Sequence, residues 1–262
     1  MNMMNNHPFH IVSVSPWPII ISFSLLFLPL NLLSFLNNMK FTKFLINILL
    51  ILLIMFLWWR DVIRESTFMG FHTKNVYKLM KMGMILFILS EVMFFVSFFW
   101  TYFHMYLSPS IEIGSLSPPK SINMFNPYNI PLLNSIILIS SGITITWSHS
   151  SILMNKYIDS LISLMITIFL GMYFSLMQLI EYLNASFSLS DSIYGSIFFM
   201  ATGFHGFHVI LGTLFLLNSL YRMLFLHFSQ FHHFGFEASI WYWHFVDVVW
   251  LFLYICIYWW PY

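Results

Sequence analysis

The chain has 262 residues, 60% of them hydrophobic and 7% charged, with a formal net charge of +1. Soluble domains carry about 25% charged side chains, so this chain cannot cover a water-facing surface and belongs in a membrane. The near-neutral charge argues against nucleic acid as a partner. A single cysteine, Cys256, excludes an intrachain disulfide and a cysteine-based metal site.

The first charged side chain is Lys40. A basic n-region is therefore missing, as is an arginine-rich leader, and no cleavable targeting segment is expected. The chain has 31 Phe and 18 Met but only Ala185, Ala201 and Ala238 as alanines. That bias fits an AT-rich genome, such as an organelle's.

A helix needs about 20 apolar residues to cross the roughly 30 Å hydrocarbon core. Seven segments qualify: Trp17–Leu36, Phe41–Trp59, Met80–Leu107, Pro131–Ser150, Ile158–Leu183, Ile193–Met223 and Phe236–Tyr258. The expected fold is all-α, a bundle of seven transmembrane helices split into a two-helix and a five-helix group. Pro29 is expected to kink the first helix. The third and sixth segments exceed the core thickness and should tilt or extend beyond it.

An odd number of crossings puts the ends on opposite sides. With the N-terminus inside, the inner loops carry Arg60, Arg64, Lys74, Lys78, Lys81, Lys156 and Arg222, and the outer loops only Lys40, Lys43 and Lys120. The positive-inside rule favours that orientation. Trp17, Trp58, Trp59, Trp259 and Trp260 fall at segment ends, as interfacial aromatics do.

The stretch from Arg60 to Lys81 is the most charged and reads as a loop. It divides the chain into residues 1–70, with helices 1–2, and residues 71–262, with helices 3–7. Ser108–Pro131 is a second long connector, rich in Pro and Ser. It reads as a surface for another subunit or a simple linker.

Within the spans, Glu91 is the only carboxylate or basic side chain between Lys81 and His104. It lies about 15 Å along a helix from Lys81, near the bilayer midplane. Desolvation disfavours its charged form. It is either a proton site or a protonated donor between helices. On the sixth segment, Gly195, Thr202, Gly206 and Thr213 form a small-residue stripe where a neighbour can approach. His205 and His208 lie beside it at i, i+3 and share a face. Alone they supply one edge of a metal site, which would need further ligands; the simpler reading is neutral histidines in interhelical hydrogen bonds.

The seventh segment places His244 and Asp247 three apart, deep in an apolar run. A buried polar seam joining Glu91, His205 or His208, and His244–Asp247 is expected. Asp61 and Arg64 can pair if their stretch is helical, and the bases beside Trp58 and Trp59 either suit an anionic lipid headgroup or are an ordinary solvated topology signal. No Gly-rich phosphate loop, nucleophile elbow or helical His-Glu-x-x-His is present. No catalytic residue and no metal site is assigned.

Several ordered runs together point to one family. They are Trp58-Trp-Arg-Asp-Val-Ile-Arg-Glu-Ser-Thr67, Gly83-Met-Ile-Leu-Phe-Ile-Leu-Ser-Glu91, Ala201-Thr-Gly-Phe-His-Gly-Phe-His208, His232-His-Phe-Gly-Phe-Glu-Ala238 and Trp241-Tyr-Trp-His-Phe-Val-Asp-Val-Val-Trp250. The likeness runs from His7-Pro-Phe-His10 and Ser15-Pro-Trp-Pro18 to Tyr258-Trp-Trp260. The chain closely resembles the mitochondrial cytochrome c oxidase subunit III family.

The resemblance implies two helix groups separated by a cleft that holds phospholipid. It implies a subunit without haem or copper, which belong to subunits I and II. It further implies contact with subunit I and other complex IV subunits, support of subunit I stability and proton uptake, and a mitochondrial inner membrane location with the N-terminus in the matrix. Family lipid contacts map onto Trp58, Trp59, Arg64, Glu65, His72 and Arg222, and the family's intramembrane glutamate onto Glu91.

The chain departs from the family at Trp147-Ser-His-Ser150, at Glu181-Tyr-Leu-Asn-Ala-Ser-Phe187, and at Ser117-Pro-Pro119, which lacks the usual preceding Trp. The competing readings are a free-standing proton or solute transporter using Glu91 and Asp247, a membrane cytochrome with haem on histidines, and a quinol-oxidase subunit III. The chain lacks the paired repeats and broken helices of many transporters.

Overall fold

A computed structural model describes residue 10 and residues 12–39, 41–111, 114–120 and 122–262. Lys40 and the His7-Pro-Phe part of the N-terminal motif lie outside the described residues. The described residues form helices joined by loops, without a strand. The helices are α1 (Trp17–Asn38), α2 (Thr42–Thr67), α3 (Lys74–Leu107), α4 (Ile130–Leu153), α5 (Tyr157–Leu183), α6 (Ile193–Leu224) and α7 (Phe234–Leu253). A π-helical turn, Tyr254–Trp259, continues α7. All seven are long and apolar enough to span a bilayer, as hydropathy predicts. α1 remains helical through Pro29.

Arg60–Lys81 is not a loop. α2 runs on to Thr67 and α3 begins at Lys74, leaving residues 68–73 between them. The charged residues are good helix formers with local partners: Arg60 Nη2 lies 3.0 Å from Asp61 Oδ1, and Arg64 Nη1 lies 3.8 Å from the same atom. The turn comes at Gly70, whose φ of 66° is the left-handed conformation that glycine adopts without strain.

The chain forms two compact units, Met1–Met80 and Lys81–Tyr262. In the first, Asn47 Nδ2 donates to the Ser24 carbonyl at 3.1 Å inside the α1–α2 contact. The Trp17 indole donates to Asp61 Oδ2 at 2.8 Å, and the Ser13 hydroxyl to Glu65 at 2.8 Å. These bonds tie the segment before α1, and the start of α1, to the end of α2.

In the second unit α4 and α5 approach closely because small residues line their contact. Thr144 Oγ1 meets Thr167 Oγ1 at 2.9 Å, and the Ser148 hydroxyl donates to the Ser160 carbonyl at 3.0 Å. α7 then inserts large aromatics. Trp243 and Trp250 are fully buried, and their indole N–H groups reach Ser141 Oγ (2.9 Å) and Ser135 Oγ (3.0 Å) on α4. Each buried indole thus has the hydrogen-bond partner it requires.

The Trp243 ring lies between Gly171 on α5 and Gly212 on α6. A Cβ on Gly171 would come within 2.5 Å of Trp243 Cη2, and one on Gly212 within 2.9 Å of its Cε3. The small-residue stripe expected on α6 is only partly a contact line. Gly195 abuts the Ser188 carbonyl, whereas Gly206 faces open space. A periodicity of small residues does not tell which of them meets a neighbour. Residues 81–107 of α3 join the unit differently, through large rings: Phe87 to Tyr242 at 6.3 Å, Phe95 to Phe245 at 6.1 Å and Phe99 to Phe252 at 6.1 Å between centroids.

Candidate functional site

The intramembrane polar groups resolve into separate constellations rather than one seam. Glu91 on α3 meets His208 on α6, with Oε2 3.0 Å from Nε2. His208 Nδ1 lies 2.7 Å from the Phe204 carbonyl one turn back. A carbonyl only accepts, so Nδ1 carries a hydrogen. Nε2 is then either the lone-pair acceptor of a proton held by Glu91 or the second N–H of an imidazolium facing a carboxylate. One proton sits between the two groups in either state. His208 is buried and Glu91 retains 26% side-chain exposure.

His205 takes no part. It is buried between Phe174 and Trp250, at 5.6 and 5.3 Å between ring centroids. Neither of its nitrogens has a hydrogen-bond partner among the described residues. Residues at i, i+3 differ by about 60° around a helix. On a helix with neighbours on several sides, that turns one ring toward α3 and the other toward α5 and α7.

Among the described residues His244 and Asp247 pair with each other, at 3.7 Å, and the His244 side chain is 40% exposed rather than buried. Asp247 leans over Gly142 on α4, where a Cβ would stand 3.0 Å from Oδ2. The expected link from this pair to Glu91 is absent among the described hydrogen bonds.

A second buried glutamate was not singled out as a site from the sequence. Glu181, in the last turn of α5, is buried with neither oxygen hydrogen-bonded among the described residues. Tyr258 lies beside it, and Gln178, one turn earlier, is bonded to Asn134 at 3.3 Å. The signal was available: a carboxylate in an apolar run.

A third grouping was not legible at all. His149 at the end of α4 meets His233 and Glu237 at the start of α7, with one ligand-type atom from each lying within 4.8 Å of the others.

These positions can be set against known proteins. The sequence profile of the family described as cytochrome c oxidase subunit III matches residues 7–262. The chain belongs to the cytochrome c oxidase subunit III family. It is 59% identical over 254 residues to "Cytochrome c oxidase subunit 3" of Rhipicephalus sanguineus, covering 97% of this chain and 99% of that protein. It is 54% identical over 257 residues to the protein of the same name in Heterololigo bleekeri, covering 98% and 99%. The Drosophila melanogaster protein of that name is 52% identical over 260 residues, covering 99% of each.

The positions expected to contact lipid fall in both units. In the first, Trp58 is half-buried, Trp59 and Arg64 are exposed, Glu65 receives the Ser13 hydroxyl, and His72 packs edge-on against His10 at 6.4 Å. In the second, the Arg222 guanidinium lies over the Phe228 ring at 4.5 Å. Its Nη1 occupies the space that a side chain at Gly235 would need. Its buried Nε has no hydrogen-bond partner, and no carboxylate pairs with it among the described residues. His227 stands next to it in the loop. Burial first, and the Arg222 charge second, hold its imidazole below the usual value, so it adds no full charge at neutral pH.

Proposed function

We infer that the chain is an integral-membrane core subunit of cytochrome c oxidase, the respiratory complex that passes electrons from cytochrome c to oxygen and pumps protons. The observation that carries this reading is the family match along nearly the whole chain, with relatives over half identical that bear the subunit 3 name. The chain supplies no catalytic residue. Haem and copper reside in subunits I and II, and this subunit supports the stability and proton uptake of subunit I.

Glu91 and His208 fit that role as a hydrogen-bonded joint between α3 and α6. Any part in proton traffic is indirect, through the neighbouring subunit. Arg222, a cation half-sunk in protein without a carboxylate partner among the described residues, suits a phospholipid headgroup phosphate. The location is the mitochondrial inner membrane, with the N-terminus in the matrix, as the charge bias favours.

The test is affinity purification through this chain from detergent-solubilised membranes. The reading expects haem absorbance and the haem-bearing subunits to co-purify, with the haem staying on those subunits after dissociation. A chain that purifies without an oxidase, or that carries haem itself, would refute it.

A further inference from the structure

We propose that His149 Nε2, His233 Nε2 and a carboxylate oxygen of Glu237 form a binding site for a divalent transition-metal ion of the zinc class, with a fourth position open to water. His233, at the N-terminus of α7, is buried, and its Nδ1 lies 3.0 Å from the Ser229 carbonyl. The carbonyl can only accept, so the hydrogen is on Nδ1 and the neutral ring presents a lone pair at Nε2. That lone pair is buried and has no hydrogen-bond donor among the described residues.

An imidazole whose remote N–H is fixed by a backbone carbonyl is how metal-ligating histidines are oriented. His149 Nε2 is likewise buried without a hydrogen bond. The two rings face each other edge-on, 5.5 Å between centroids. Two ring nitrogens therefore converge where no hydrogen-bond donor among the described residues serves either.

Glu237 completes the set. It lies one turn along α7 from His233, with Oε1 3.5 Å from His233 Nε2. Lys81 Nζ holds the other oxygen, Oε2, at 2.6 Å. The ammonium fixes the carboxylate and leaves Oε1 turned to the histidines. Two imidazoles and one carboxylate are the donor set of open zinc sites, and imidazole nitrogen selects zinc-class ions over magnesium or calcium.

Ligand atoms of a tetrahedral zinc site stand about 3.3 Å apart, from metal–ligand lengths near 2.0–2.1 Å. The present spread, up to 4.8 Å, closes by small side-chain rotations. The site also continues a series of cross-links between α4 and α7, after Ser135 with Trp250 and Ser141 with Trp243. A bound ion would fasten the third point of that line.

The experiment uses the full chain, folded in detergent micelles and stripped with chelator, titrated with ZnCl2 against a chromophoric competitor. One equivalent should bind. His149→Ala and Glu237→Gln should each weaken binding at least tenfold, and His104→Ala should not. Zinc X-ray absorption of the wild-type protein should show two imidazoles and at least one oxygen. Absence of a saturable zinc equivalent, or unchanged affinity in folded His149→Ala, would overturn the proposal. If His149→Ala does not fold, the absorption spectrum decides, and a shell without two imidazoles would overturn it equally.

Discussion

Gly171→Ala tests how tightly α5, α6 and α7 are fitted. The added Cβ would stand 2.5 Å from Trp243 Cη2 and 2.6 Å from Thr213 Cγ2. Carbon atoms in contact settle near 3.5–4.0 Å, so one neighbour must move by about 1 Å. Trp243 has little room to retreat, because its other side faces Gly212, where even an added Cβ would stand only 2.9 Å from its Cε3, and Ser141 holds its indole N–H. Overpacking of this kind costs about 1–3 kcal/mol, and the lack of an escape route puts Gly171→Ala at the upper end. Alanine regains about 1 kcal/mol of helix propensity. The net loss is therefore about 2 kcal/mol, roughly a 30-fold fall in the folding equilibrium. Gly206→Ala is the matched control, since nothing lies within 4 Å of its Cβ position, and it should be neutral or slightly stabilising. Unfolding of the full chain in mixed micelles, followed by tryptophan fluorescence, reads both. Equal stability of the two variants would refute the reasoning.

Glu91→Gln keeps a donor for His208 Nε2 and should change stability by less than about 1 kcal/mol, whereas Glu91→Leu orphans that nitrogen and should cost about 1–3 kcal/mol; the same unfolding assay distinguishes them. Trp243→Phe removes one indole donor while Ser141 keeps its bond to the Leu138 carbonyl, so a loss of about 1 kcal/mol is expected, and a loss above about 4 kcal/mol would point to a cavity instead. Arg222→Ala should release one phospholipid per chain from the purified complex. Lipid mass spectrometry measures this, and an unchanged lipid count would remove the headgroup assignment.

The spans were legible because about 20 consecutive apolar residues leave few alternatives. Their ends were less so. The charges from Arg60 to Glu65 marked the end of the apolar run, but a helix does not stop where an apolar run does, and α2 continues to Thr67. Glu91 was conspicuous as a lone carboxylate, yet spacing could not choose between His205 and His208, since that depends on which neighbour surrounds each side of α6. Gly171 and Gly212 gave no signal of their own; they matter through Trp243, remote in sequence. His149 with His233 and Glu237 shows the same limit, because α4 and α7 become neighbours only in the folded bundle.

The two indole–serine bonds make α7 the piece that completes the second unit. Ser135 and Ser141 also bond carbonyls of their own helix, so what α7 adds is the indole on each hydroxyl and the ring between Gly171 and Gly212. α7 also leaves the ribosome after α1 to α6. A chain ended before Phe234 would still hold six segments able to enter a bilayer. Its fault would appear afterwards, as helices inserted but not locked in angular register. Late truncations in this gene should therefore behave as defects of maturation, with the product present in the membrane but lost to quality control.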